Sequence, residues 1–270
     1  MTRVFKIRAK KYLGLLIPEC CIGLLAAGFL ERNAEDFAQM ASVTVPWTTG
    51  DLILYYFAGN LPLSVTGENT VFHIPVYWFI FLVWLAAYTC ITYSQEYRNV
   101  MAGQITRYKD RGRWFCHLAK EVCSHTFLYI LTILVLFLLV GIFRGHASLV
   151  IHNEFLSLMM QAEYPGESLT NFFPVYCGML FFLVFTAGMI QITVSVFWTA
   201  IIGFVFQVIL LIITTLYMTD FFFLNATMLL RNEKVIAGGV SFLRSGSVAA
   251  IVLVSCCILG LLHVKKKDFV

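Results

Sequence analysis

Five blocks of this sequence are apolar almost without interruption: Leu13–Leu30, Ile74–Tyr93, Thr126–Phe143, Phe172–Thr219 and Val248–Val264. The hydrocarbon core of a bilayer is about 30 Å thick and takes roughly 20 apolar residues of helix to cross. Inside it each segment must satisfy its own backbone N–H and C=O groups, so blocks of this kind become helices. The fourth block would rise about 70 Å as one helix, more than twice the slab. It therefore divides into Phe173–Ile192 and Trp198–Met218, with a turn near Gln191–Phe197. Six spans result. The chain reads as an all-α, polytopic membrane protein with a single transmembrane domain over residues 1–270. Composition agrees, since 13% of its residues are charged against about 25% in soluble domains.

Direction follows from Lys and Arg, which accumulate on the cytoplasmic side of short loops. The N-terminal arm carries Arg3, Lys6, Arg8, Lys10 and Lys11. The loop after the second span carries Arg98, Arg107, Lys109, Arg111, Arg113 and Lys120, and the C-terminus Lys265, Lys266 and Lys267. The opposite loops hold Arg32, Arg144, Arg231, Lys234 and Arg244, and the first of them is crowded by Glu31, Glu35, Asp36, Asp51 and Glu68. Both termini are expected in the cytoplasm of a cell whose plasma membrane holds the chain. Only an even number of spans puts Lys265–Lys267 on that side, which supports dividing the long block. A basic start before an apolar stretch also suits a secretory signal. Here Glu31 and Arg32 stand where a small-residue cleavage pattern would, so an uncleaved first span is expected.

The connecting segments carry further pattern. Residues 1–11 alternate cations with Val4, Phe5 and Ile7, as an interfacial helix on anionic lipid does; a disordered basic anchor is the alternative. In the inner loop, Tyr97, Val100, Met101, Ile105 and Tyr108 recur at helical spacing, and Gly112 is expected to end that helix. The outer segment Asp220–Ser247 is too short for two spans and suits two half-helices re-entering the outer leaflet, which is allowed only where protein or water covers the backbone. The apolar run Leu52–Ala58 in the first outer loop is too short to cross and is expected to pack on the outer face of the bundle. Asn225-Ala226-Thr227 matches a glycosylation sequon, a motif common by chance.

Catalytic motifs are missing. The chain has no Gly-x-x-x-x-Gly-Lys-Ser/Thr, no His-Glu-x-x-His and no Gly-x-Ser-x-Gly. Cys116, His117 and Cys123 lack zinc-ligand spacing, and the outer loops contain no cysteine for a disulfide framework. The chain is not expected to be an enzyme by itself, to hold a metal or to bind nucleic acid. Within the spans, Glu19 follows Pro18 and is costly there unless protonated, paired or hydrated. It either pairs structurally or contacts a substrate or gate. Gln191 and Gln207 read as interhelical hydrogen-bonding residues.

This layout resembles the permease subunits of type-2 ABC exporters. Those subunits have an interfacial N-terminal helix, six spans, a cytoplasmic helix between spans two and three, and a re-entrant outer region before the last span. The local match is Ile105-Thr106-Arg107-Tyr108-Lys109-Asp110-Arg111-Gly112-Arg113-Trp114, similar to the Arg-Tyr-x-x-Arg-x-x-Trp pattern of Gram-positive members. The resemblance implies that Gln95–Arg113 is a coupling helix docked on a separate ABC ATPase subunit. Tyr97, Ile105, Arg107, Tyr108, Arg111 and Trp114 would make or support that contact. It also implies a second permease subunit, identical or related, with ATP and Mg bound by the partner ATPase and no cofactor in this chain. Two other readings stay open: a secondary carrier using Glu19, and a non-transporting membrane scaffold or sensor for which the basic loop is a docking site.

Overall fold

A computed structural model describes residues 2–41, 47–60, 74–101, 111–151, 172–235 and 238–266. Its α-helices are α1 (Thr2–Ala41), α2 (Thr49–Phe57), α3 (Val76–Met101), α4 (Arg111–Arg144), α5 (Phe172–Phe197), α6 (Ala200–Leu216) and α7 (Phe242–Lys266), with two 3₁₀ helices at Phe223–Thr227 and Leu229–Arg231. No strand forms among the described residues beyond one isolated bridge, Asn232 to Val240. Segments of five helices are long and apolar enough to cross a membrane: Tyr12–Asp36, Val76–Arg98, Gly112–Arg144, Phe172–Phe197 and Phe242–Lys265. The chain is on this ground a multi-pass membrane protein. Large apolar side chains such as Leu25, Phe127, Ile251 and Val254 stand exposed on these helices, as they do when lipid is the solvent.

The first helix is longer than its span. The basic arm, expected as a separate interfacial helix, is continuous with it from Thr2. Pro18 sits inside α1 and removes one backbone donor there. The α3 helix likewise carries the second span on through Gln95 to Met101. Gly112, expected to end a helix, lies in the first turn of α4. The stretch between, with Ile105, Arg107 and Tyr108, lies outside the described residues.

The long apolar block divides as parity demanded, but later than Gln191–Phe197. α5 runs through Phe197, and only Trp198 and Thr199 separate it from α6. Thr199 is extended and caps α6, accepting a hydrogen bond from the Ile202 N–H at 3.3 Å. Gly203 then lets the two helices close together: a β-carbon there would come within 2.7 Å of the Gln191 carbonyl and against Ser195 Oγ.

The fold also moves α2. The run Leu52–Ala58 was expected on the outer face, yet Leu52, Leu54 and Phe57 are fully buried within the main core, among residues of α1, α3 and α4. A helix apolar all round has no face to give to water. Its N-terminus is closed by a capping box between Thr48 and Asp51, worth about 1 kcal/mol. Segment 146–150 behind α4 closes it further: Thr49 N–H donates to the His146 carbonyl (3.0 Å) and Gly50 N–H to that of Ser148 (3.1 Å).

Candidate functional site

Three centres stand out within this frame. The first is at the basic end of the bundle. Tyr93 of α3, Trp114, Phe115, Leu118 and Val122 of α4, Met189, Ile192 and Val196 of α5, and Val264 of α7 form a buried cluster. Tyr97 stacks on Tyr93 with ring centroids 6.0 Å apart, and Tyr93 leans on Trp114 at 6.2 Å. The Tyr93 hydroxyl donates to the Ser195 carbonyl (3.0 Å). Of the residues expected at a coupling contact, Trp114 is therefore core and Tyr97 a partly buried brace. Arg111 opens α4. Gly260 permits the tight approach of α7, since a β-carbon there would strike the Phe115 ring.

The second centre is Glu19, fully buried. Its carboxyl accepts from the Tyr56 hydroxyl of α2 (2.6 Å) and from the Tyr129 hydroxyl of α4. The Tyr129 oxygen also lies 3.1 Å from the Phe81 carbonyl of α3. Four helices thus meet at one carboxyl group. Aromatic rings seal it, with Phe81 stacked on Tyr129 (4.7 Å) and Phe137 edge-on to Tyr56 (5.1 Å). Hydrogen bonds to two hydroxyls meet the condition for burying such a group.

Sequence reasoning missed the third centre. Arg231, counted among loop cations, is fully buried. Its Nε donates to the Asn60 carbonyl (2.8 Å) and its Nη2 to Asn60 Oδ1 (2.8 Å) and the Thr215 carbonyl (2.7 Å). Nη1 donates to the Thr214 carbonyl (2.6 Å) and to Asn225 Oδ1. These acceptors are neutral oxygens. The last carbonyls of α6 have no helical partner and carry the negative end of the helix dipole, so a cation suits them. Burial lowers the guanidinium from its ordinary value to about 10, which leaves it charged at neutral pH.

Asn225 completes this knot, its amide donating to the Tyr217 (2.9 Å) and Thr219 (3.0 Å) carbonyls. Asn225 and Thr227 are both fully buried, so the sequon is closed to a transferase in the folded protein. The stretch Phe223–Arg231 thus forms two short 3₁₀ helices packed on protein. Trp78 Nε1 donates to Thr227 Oγ1 (2.7 Å) and the Tyr176 hydroxyl to the Thr227 carbonyl (2.8 Å).

Gln191 and Gln207 line one small cavity of about 10 Å³ together with Thr89 and Thr126. Gln191 Nε2 donates to the Ala86 carbonyl (2.8 Å), the interhelical bond expected. Gln207 Oε1 is buried without a hydrogen-bond partner among the described residues. No group of His, Cys, Asp or Glu able to hold a metal occurs among the described residues, and all eight cysteines are free thiols.

Neither a curated protein nor a solved structure matches the chain. A family model described as a protein of unknown function, DUF2705, matches residues 51–270. The match takes in the basic-end cluster and the Arg231 knot, and leaves Glu19 upstream. With four fifths of its length covered, the chain belongs to the DUF2705 family.

Proposed function

We propose that this protein is the membrane-spanning permease subunit of an ATP-driven exporter, coupled to a separate ATPase and paired with a second permease subunit. On this reading α6 is the fifth of six spans. Its 17 residues rise about 25 Å, at the short end of the range that crosses a bilayer. Both termini then face the cytoplasm, and the two 3₁₀ helices lie in the outer leaflet, where neighbouring helices satisfy their backbone.

The observation that carries the reading is the buried cluster at the basic end. An ATPase can move a membrane bundle only through a contact that is stiff where it joins the bundle. α4, with 34 residues, is about 51 Å long and exceeds the hydrocarbon core by about 20 Å. Its basic end is locked to α3, α5 and α7 through Trp114, Phe115 and Tyr93. A push on residues 102–110, which include Arg107 and Tyr108, would pass into four helices at once.

Isolation of the full-length protein with ATPases encoded beside it tests this. The expected result is a stoichiometric ATPase that is lost on Arg107→Ala with Tyr108→Ala, together with ATP-dependent export in proteoliposomes. A scaffold or sensor would retain a partner and move nothing. The carrier alternative relies on Glu19, whose full burial between two tyrosines suits structural pairing better than ion exchange.

A further inference from the structure

The first turns of α4 and the last of α7 border a groove of about 460 Å³ at the basic end of the bundle. Arg113, His117 and Lys120 line it from α4 and Lys265 from α7, with Cys116 and Leu261 between them. Positions 113, 117 and 120 are four and three residues apart and so share one helix face. Arg113, Lys120 and Lys265 are exposed, while Leu261 is half-buried. Among the described residues, no carboxylate lines the groove. Glu121, next along α4, turns to His125 at 3.3 Å instead.

Three permanent cations around one concavity repel each other, and low-dielectric walls concentrate their field on whatever enters. The depth of the groove narrows the choice of anion. The apolar segment Phe242–Lys265 of α7 ends here, which puts the α7 wall of the groove at the level where hydrocarbon gives way to headgroups. Basic pockets between transmembrane helices at this depth suit phosphate-bearing lipid headgroups. Leu261 and Cys116 offer an apolar flank along which an acyl chain can run.

We propose that this groove binds the phosphate of an anionic membrane lipid, which bridges α4 and α7. The site stands independently of any ATPase. Native mass spectrometry of the full-length protein in dodecyl maltoside, titrated with dioleoyl phosphatidylglycerol, dioleoyl phosphatidylcholine or inorganic phosphate, tests it. Wild type should hold phosphatidylglycerol at least tenfold more tightly than phosphatidylcholine. The combined Arg113→Gln, Lys120→Gln and Lys265→Gln variant should lose that preference, while Arg32→Gln with Lys234→Gln, which removes two cations elsewhere, should keep it. Lys265→Gln alone, at an exposed helix end, should weaken phosphatidylglycerol about threefold and reports even if the combined variant does not fold. Undiminished phosphatidylglycerol binding in the Lys265→Gln or the combined variant overturns the proposal. So does millimolar inorganic phosphate that occupies the site and displaces the lipid, which would make the ligand free phosphate.

Discussion

Arg231 donates through Nε to the backbone carbonyl of Asn60, 171 residues earlier in the chain, at 2.8 Å. The end of α2, the end of α6 and the two 3₁₀ helices are tied together by that one guanidinium.

Replacing Arg231 by Ala would leave the Thr214 and Thr215 carbonyls and two asparagine side chains buried without their donor. Breaking a buried charged contact from one side costs about 3–5 kcal/mol. Arg231→Ala should therefore show the largest fall in thermal midpoint of any cation substitution in the chain, measured by tryptophan fluorescence in detergent. Arg231→Lys should recover only part, because three donors on a flexible stem cannot copy the planar fork. A midpoint for Arg231→Ala equal to that of Arg32→Ala would refute the knot.

Glu19 invites a different comparison. The Tyr129 hydroxyl has one hydrogen and two acceptors in reach, Glu19 and the Phe81 carbonyl. A glutamine at 19 could accept from Tyr56, donate to Tyr129 and free that hydrogen for Phe81. Glu19→Gln is thus expected within about 1 kcal/mol of wild type, and Glu19→Leu, which strands two buried hydroxyls, lower by about 2–4 kcal/mol. Equal losses for the two variants in urea unfolding would rule out this hydrogen-bond pattern. Transport that disappears in a stable Glu19→Gln protein would instead point to the carrier.

The two glutamines of the small cavity should behave in opposite ways. Gln191 donates to Ala86, so Gln191→Leu removes a buried interhelical hydrogen bond and should cost about 1 kcal/mol. Gln207→Leu removes a buried oxygen that has no partner among the described residues and should be neutral or stabilising. Thermal midpoints of the two variants, side by side, decide it.

At Gly203 the prediction is steric. Gly203→Ala drives a methyl group against the Gln191 carbonyl and Ser195 Oγ and should cost about 1–3 kcal/mol. Ser195→Ala should relieve only the side-chain part. Full recovery in the double variant would mean that the backbone of α5 moves more freely than this packing allows.

Which features were legible in the sequence follows from which forces leave a side-chain pattern. Burial in lipid does, and the apolar blocks locate α1, α3, α4, α5 and α7, although α1 and α4 begin 11 and 15 residues before their blocks. The α2 segment was visible as an apolar run, but nine residues carry no mark of which side of a bundle they join. Arg231 was hidden for a sharper reason. A tally of loop cations treats each as solvated, and the groups that hold Arg231 are mostly backbone carbonyls, which every residue has. Trp114 shows the converse: its place in a recognisable motif suggested a contact surface, while its neighbours Tyr93 and Val122 bury it. Glu19 drew attention through its cost in hydrocarbon, yet nothing local foretold Tyr56 and Tyr129 as its partners.

The link from Asn60 to Arg231 has a temporal side. Ribosomes add roughly 5–20 residues per second, so a stretch of 171 residues takes about ten to thirty seconds to make. Throughout that interval the end of α2 sits in or near the membrane with its amide and carbonyl unanswered, open to chaperones and proteases. Shape in the first half of this polypeptide is therefore settled late, by an arginine that arrives after six of its α-helices are already made.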